Sequence, residues 1–128
     1  MENNHYLLDT HVFIWWMKED RRVRSEIKLL LQDPQNQIFL SIATVWEIVI
    51  KVRRGKLKVP RDWKKTLRES AFLILPITLE HVFKLENLPL HHRDPFDRML
   101  VAQAKSENAT LIAGDQKLWK YDVALLKA

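Results

Sequence analysis

Apolar positions along the chain fall into two patterns. Five short apolar runs read as buried strands: HYLLD (5–9), QIFLS (37–41), FLILP (72–76), TLIA (110–113) and VALL (123–126). Longer stretches with helical spacing separate them. THVFIWWMK (10–18) follows the first strand. In RRVRSEIKLLLQD (21–33), Val23, Ile27, Leu30 and Leu31 recur at helical intervals, with Asp20 placed to cap. ATVWEIVIKVRR (43–54) is a helix stopped by Gly55, with basic residues in its last turn. RDWKKTLRESA (61–71) is amphipathic. TLEHVFKLENL (78–88) begins at Thr78, a candidate N-cap, and PFDRMLVAQAKSEN (95–108) begins at a proline. GDQKLWKY (114–121) reads as a loop and short helix. Strands alternating with helices predict one α/β domain over residues 1–128, a sandwich with a mostly parallel central sheet.

In such a sheet, sites form outside the carboxyl ends of the strands. Acidic residues fall there repeatedly. Asp9 ends the first strand, Glu47 is early in the helix after the second, Asp94 and Asp97 open the helix before the fourth, and Asp115 follows the fourth. Each has a structural reading as well. Asp9 is a good helix cap, and Asp115 beside Gly114 starts a turn. Glu47, among Val45, Trp46, Ile48, Val49 and Ile50, has little solvent-facing company, and a buried carboxylate needs a partner. Pro95 at the first helical position makes Asp94 the N-cap. Asp97 then shares a face with Val101 and Ala104, and is aimed at the other acids.

Composition narrows the chemistry. The chain has 128 residues, no cysteine and two glycines. Thiolate catalysis, cysteine zinc sites, disulfides and glycine-rich phosphate loops are therefore excluded. The histidines form no paired motif of the HExxH type. Clustered carboxylates repel unless cations neutralise them, and hard oxygen ligands without soft ones suit magnesium or manganese. The formal charge of +5 suits a polyanion such as nucleic acid. The segment KVRRGKLKVPR (51–61) carries six basic residues, which track a nucleic-acid backbone or simply face solvent. Arg93 and Arg98 flank the acids, either to hold a phosphate or to pair with a carboxylate. Trp15 and Trp16 are adjacent, so one is expected in the core and the other either toward a partner or partly buried at the surface. His11, His91 and His92 have no assigned role. No signal-peptide pattern or membrane-length apolar run occurs, so a cytoplasmic protein with no membrane association is expected.

YLLDTHVFIWW, SIATVWEIVIKVRRGKL, LPLHHRDPFDRMLVAQA and TLIAGDQKLWKY occur in the order and spacing of a PIN-domain protein. The chain resembles VapC-type toxins of bacterial type II toxin–antitoxin systems over nearly its whole length, and DPFDRMLVAQA is the most specific run. The resemblance implies a PIN-like three-layer α/β/α sandwich, usually a homodimer. It also implies a magnesium-dependent endoribonuclease acting on RNA and neutralised by a VapB-like antitoxin, with manganese as a substitute ion. The family's acids fall on Asp9, Glu47, Asp97 and Asp115 as catalytic, metal-binding residues, with Asp9 and Asp97 as the main ligands. The chain departs from the family at Ala113, where members often carry threonine or serine; Thr10 and Ser41 keep the hydroxyls expected at their positions. Ala113 leaves open a second reading, a catalytically impaired PIN-like module that binds RNA or a partner. A phosphohydrolase using Asp9 as nucleophile is third, because the second aspartate such enzymes want two residues on is absent: His11 stands there.

Overall fold

Leu7 and Leu8 are adjacent, and both are fully buried. Neighbouring side chains on a strand point to opposite faces, so both can be buried only if apolar layers cover both sides of the sheet. Leu111 and Ile112 repeat the pattern in the neighbouring strand. This is the constraint that makes the architecture three-layered. The computed structural model describes residues 4–91 and 93–128.

The five strands are β1 (His5–Leu8), β2 (Gln37–Ser41), β3 (Leu73–Leu75), β4 (Thr110–Ala113) and β5 (Leu125–Lys127). They form one sheet in the order β3-β2-β1-β4-β5, and every pairing is parallel. Leu7 sits opposite Phe39 on one side and Leu111 on the other. The order reverses at β1. Connections run outward from it through β2 to β3, and β4 and β5 continue on the other flank, so the switch point of the sheet lies between the carboxyl ends of β1 and β4.

The helices are α1 (Thr10–Met17), α2 (Ser25–Gln32), α3 (Ile42–Arg53), α4 (Trp63–Glu69), α5 (Leu79–Lys84) and α6 (Pro95–Ser106). On one face, Leu7, Leu75 and Leu111 pack with Leu100, Val101 and Ala104 of α6. On the other, Leu8, Leu40 and Ile112 pack with Val12 and Phe13 of α1, Ile27 of α2, Ile48 of α3 and Trp63 of α4. Among the described residues no helix is long and apolar enough to cross a membrane.

Local chemistry sets most boundaries. Gly55, at φ +69°, ends α3, and the Lys56 N–H bonds back to the Lys51 carbonyl at 2.9 Å, as in a left-handed helix stop. Asp94 caps α6: its Oδ1 accepts from the N–H of Phe96 at 2.8 Å and of Asp97 at 3.1 Å. Thr78 caps α5, whose helical run is shorter than its apolar pattern and tightens into a 3-10 turn at Leu85–Asn87. His81 Nδ1 accepts from the Thr78 N–H at 3.0 Å, so Nε2 carries the proton and donates to Glu107 at 2.9 Å.

Three expectations are revised. Asp20 does not cap the second helix. Its carboxylate binds the Arg22 backbone and guanidinium in a turn, and α2 starts only at Ser25. That pairing holds Asp20 down at a pKa of about 2. The last strand lies at 125–127, so only Leu125 and Leu126 of the expected run 123–126 belong to it. Trp15 and Trp16 do not divide between core and surface; both are half-buried. Trp16 packs on Phe13 and Phe72, and Trp15 lies under the Arg22 guanidinium.

Two stability measurements test this account. Leu111→Ala opens a cavity in the central layer and should cost about 2–5 kcal/mol in urea unfolding. Asp94→Ala removes the cap of α6 and should cost about 1 kcal/mol in the same assay.

Candidate active site

Four chain segments deliver acids to the carboxyl edge of the sheet. Asp9 leaves β1 directly: its N–H donates to the Ile112 carbonyl of β4 at 3.0 Å, and its side chain turns inward as the N-cap of α1. It is completely buried. Oδ1 accepts from the Val12 N–H at 2.7 Å, and Oδ2 accepts from the N–H groups of Gly114 at 2.7 Å and Asp115 at 3.2 Å. The cap reading and the site reading of Asp9 are therefore both met by one carboxylate.

Burial is the largest influence on Asp9 and pushes its carboxyl above the ordinary 3.8; the Val12, Asp115 and Gly114 amides and nearby His11 pull it back only partly. Folding thus favours the protonated form. Its contribution to stability is fully present below pH 3.8 and is lost as pH rises through the folded-state value.

Glu47 is buried on α3, as its apolar neighbours required. Its Oε1 accepts from the Thr10 hydroxyl at 2.8 Å, and its Oε2 pairs with the Lys51 ammonium one turn later. Thr10 has one proton, and that proton goes to the carboxylate. Thr44 must then donate to the Thr10 oxygen across 3.0 Å. Asp97 is buried at the first turn of α6, which packs against α3. Burial works against the charge of Lys51, but the hydrogen bond and charge of Glu47, joined by Asp94 and Asp97, outweigh it and raise the ammonium above its ordinary 10.5. Lys51 is therefore favoured as a cation by acids of both α3 and the start of α6.

Asp115 caps the short 3-10 helix Gln116–Lys120 through the Lys117 N–H at 2.9 Å. Its Oδ2 lies 3.9 Å from Nδ1 of the exposed His11. Asp94 is held by its capping bonds at the edge of the cluster. Among the described residues, no three histidine, aspartate or glutamate side chains stand close enough together to hold a metal ion. The edge instead carries an Asp9–Asp115 side joined through a backbone amide and a Glu47–Asp97 side on two packed helices, with Lys51 paired to Glu47. In donor chemistry the site suits a hard divalent cation: Asp9, Glu47 and Asp97 are buried carboxylates, and the Lys51 ammonium pairs with Glu47.

Other candidates divide. Arg98 does not pair with the acids; its guanidinium donates to the Pro89 carbonyl at 2.9 Å, the Tyr121 hydroxyl at 3.3 Å and the Leu88 carbonyl at 3.4 Å. It anchors the loop before α6. Arg93 is exposed. His91 packs edge-on against Tyr121, and His92 lies outside the described residues. Sequence reading missed Thr44 and the particular role of Lys51. Their spacing from Glu47, three residues before and four after, is the signal that places all three on one helical face. The Asp9 assignment is tested by carbon-13 NMR of the metal-free chain: its carboxyl should titrate with a midpoint above 3.8. A midpoint at or below that value would show that the amides outweigh burial.

The PIN domain profile matches residues 6–124. No curated protein shows a significant match to the sequence. Several solved structures share the fold. The chain is similar to one in VapBC2 from Rickettsia felis, solved bound to a DNA fragment from their promoter: 20% identity and TM-score 0.74 over 95% of this chain and 97% of that one. A chain of DNA-bound VapBC from Salmonella typhimurium gives 14% identity and TM-score 0.70 over 98% of both. One from FitAcB of Neisseria gonorrhoeae gives 20% and 0.65 over 95% of this chain and 96% of that one. The profile spans the strand that ends in Asp9 and the strand that leads to Asp115, with all the acids between, and the chain belongs to the PIN domain family.

Proposed function

We propose that this chain is a VapC-like toxin, a magnesium-dependent endoribonuclease neutralised by a cognate VapB-like antitoxin. The observation that supports this reading is that Asp9, Glu47 and Asp97 are buried where β1 ends and near where α3 and α6 begin, at the carboxyl edge of a PIN sheet. Nuclease activity is the general property of that family. Structures of similar fold that were solved as VapBC complexes support the antitoxin partner.

Asp9, Glu47 and Asp97 would hold the divalent ion, with Asp115 as a further or water-mediated ligand and manganese as a substitute. When bound, the ion polarises a phosphoryl oxygen and acidifies a water. The chain's own residues supply rigidity. The three backbone amides on Asp9 fix its carboxylate, which gives it orientation without a hydroxyl at position 113. The Thr44–Thr10 chain does the same for Glu47. The excess positive charge of the protein favours approach of RNA.

Two surfaces suit protein partners. Val45, Val49, Trp63, Leu67, Phe72 and Ile74 line an apolar groove between α3, α4 and β3, suited to an antitoxin segment. Exposed Leu79, Val82 and Phe83 on α5 suit a homodimer contact.

Expression without the antitoxin should arrest growth and cleave RNA, and Asp97→Asn should reduce both to background while leaving the chain folded. Asp94→Asn should retain cleavage. The reverse result would exchange the roles of the two aspartates, and magnesium-independent RNA binding without cleavage by the unaltered chain would overturn the nuclease reading.

A further inference from the structure

Lys51 belongs by sequence to the basic run at 51–61, yet its ammonium pairs with buried Glu47. The two partners differ in freedom. Glu47 is 4% exposed and is held from its other oxygen by Thr10, itself held by Thr44. The Lys51 side chain is 42% exposed, on a flexible four-carbon stem with an open route to water. A fixed carboxylate therefore meets a movable cation. Asp94 and Asp97 add their attraction to that of Glu47 at the ammonium.

Resting on the metal-dependent reading above, we propose that Lys51 is the resident counter-ion of the acid cluster and competes with the divalent ion for Glu47. Without metal it balances the charge of this edge and holds the Glu47 carboxylate in place. A cation held by Glu47 would repel the ammonium, whose exposed stem gives it a route outward to solvent. Lys51 is thus a positioning residue that sets metal affinity, and its place in the basic run is incidental to that task.

Magnesium chloride alone, titrated into the full chain by calorimetry, tests this, with thermal melts in parallel. Lys51→Met keeps the stem and removes the charge; it should bind magnesium about tenfold more tightly than the unaltered chain. Its metal-free form should melt lower, because Glu47 is left buried without a cation. Lys51→Arg retains the charge and should keep the original affinity. Equal or weaker magnesium binding by Lys51→Met overturns the proposal and leaves the nuclease reading standing. Magnesium binding by neither protein overturns that reading, and the competition with it.

Discussion

The Asp9 carboxylate joins parts of the chain more than a hundred residues apart. It receives the Val12 amide from α1 and the Gly114 and Asp115 amides from the end of β4. Those donors would otherwise be unpaired where a strand gives way to a helix and where another gives way to a turn. One buried carboxylate satisfies them all, and so locks the carboxyl ends of the two central strands in register. Its burial disfavours the charge it carries, which leaves a site that gains from a nearby cation.

The same tension runs through the rest of the edge. Glu47 and Asp97 are buried on two helices that pack together, and Lys51 pairs with Glu47. A carboxylate in apolar surroundings needs hydrogen bonds and a counter-charge. The hydroxyls of Thr10 and Thr44 supply the first for Glu47, and Lys51 supplies the second. The order of this edge is thereby set by a few side chains, Thr10, Thr44, Glu47 and Lys51.

Much of the fold was legible in the apolar pattern. Strand positions, the parallel sheet and the helix caps at Thr78 and Asp94 follow from short-range rules, because strand burial and capping are decided within a few residues. Pro95 alone fixed which aspartate begins α6. The same rules misplaced Asp20, whose carboxylate finds Arg22 two residues away and closes a turn before the helix. They also misjudged Trp15 and Trp16, since partial burial depends on what the neighbouring layers leave open.

Sequence by itself determined which acids reach the carboxyl edge, because Asp9 and Asp115 follow apolar strands, and Glu47 and Asp97 lie early in helices whose starts it also placed. It also excluded thiolate ligands and glycine-rich phosphate loops by composition. Only the tertiary structure decided how those acids are paired. Thr10 meets Glu47 across 37 positions, Gly114 meets Asp9 across 105, and Arg98 turns from the acids toward backbone carbonyls. The physical reason is range: a pattern of apolar positions orients a side chain on its own element, whereas a hydrogen bond within 3 Å depends on the packing of two elements against each other.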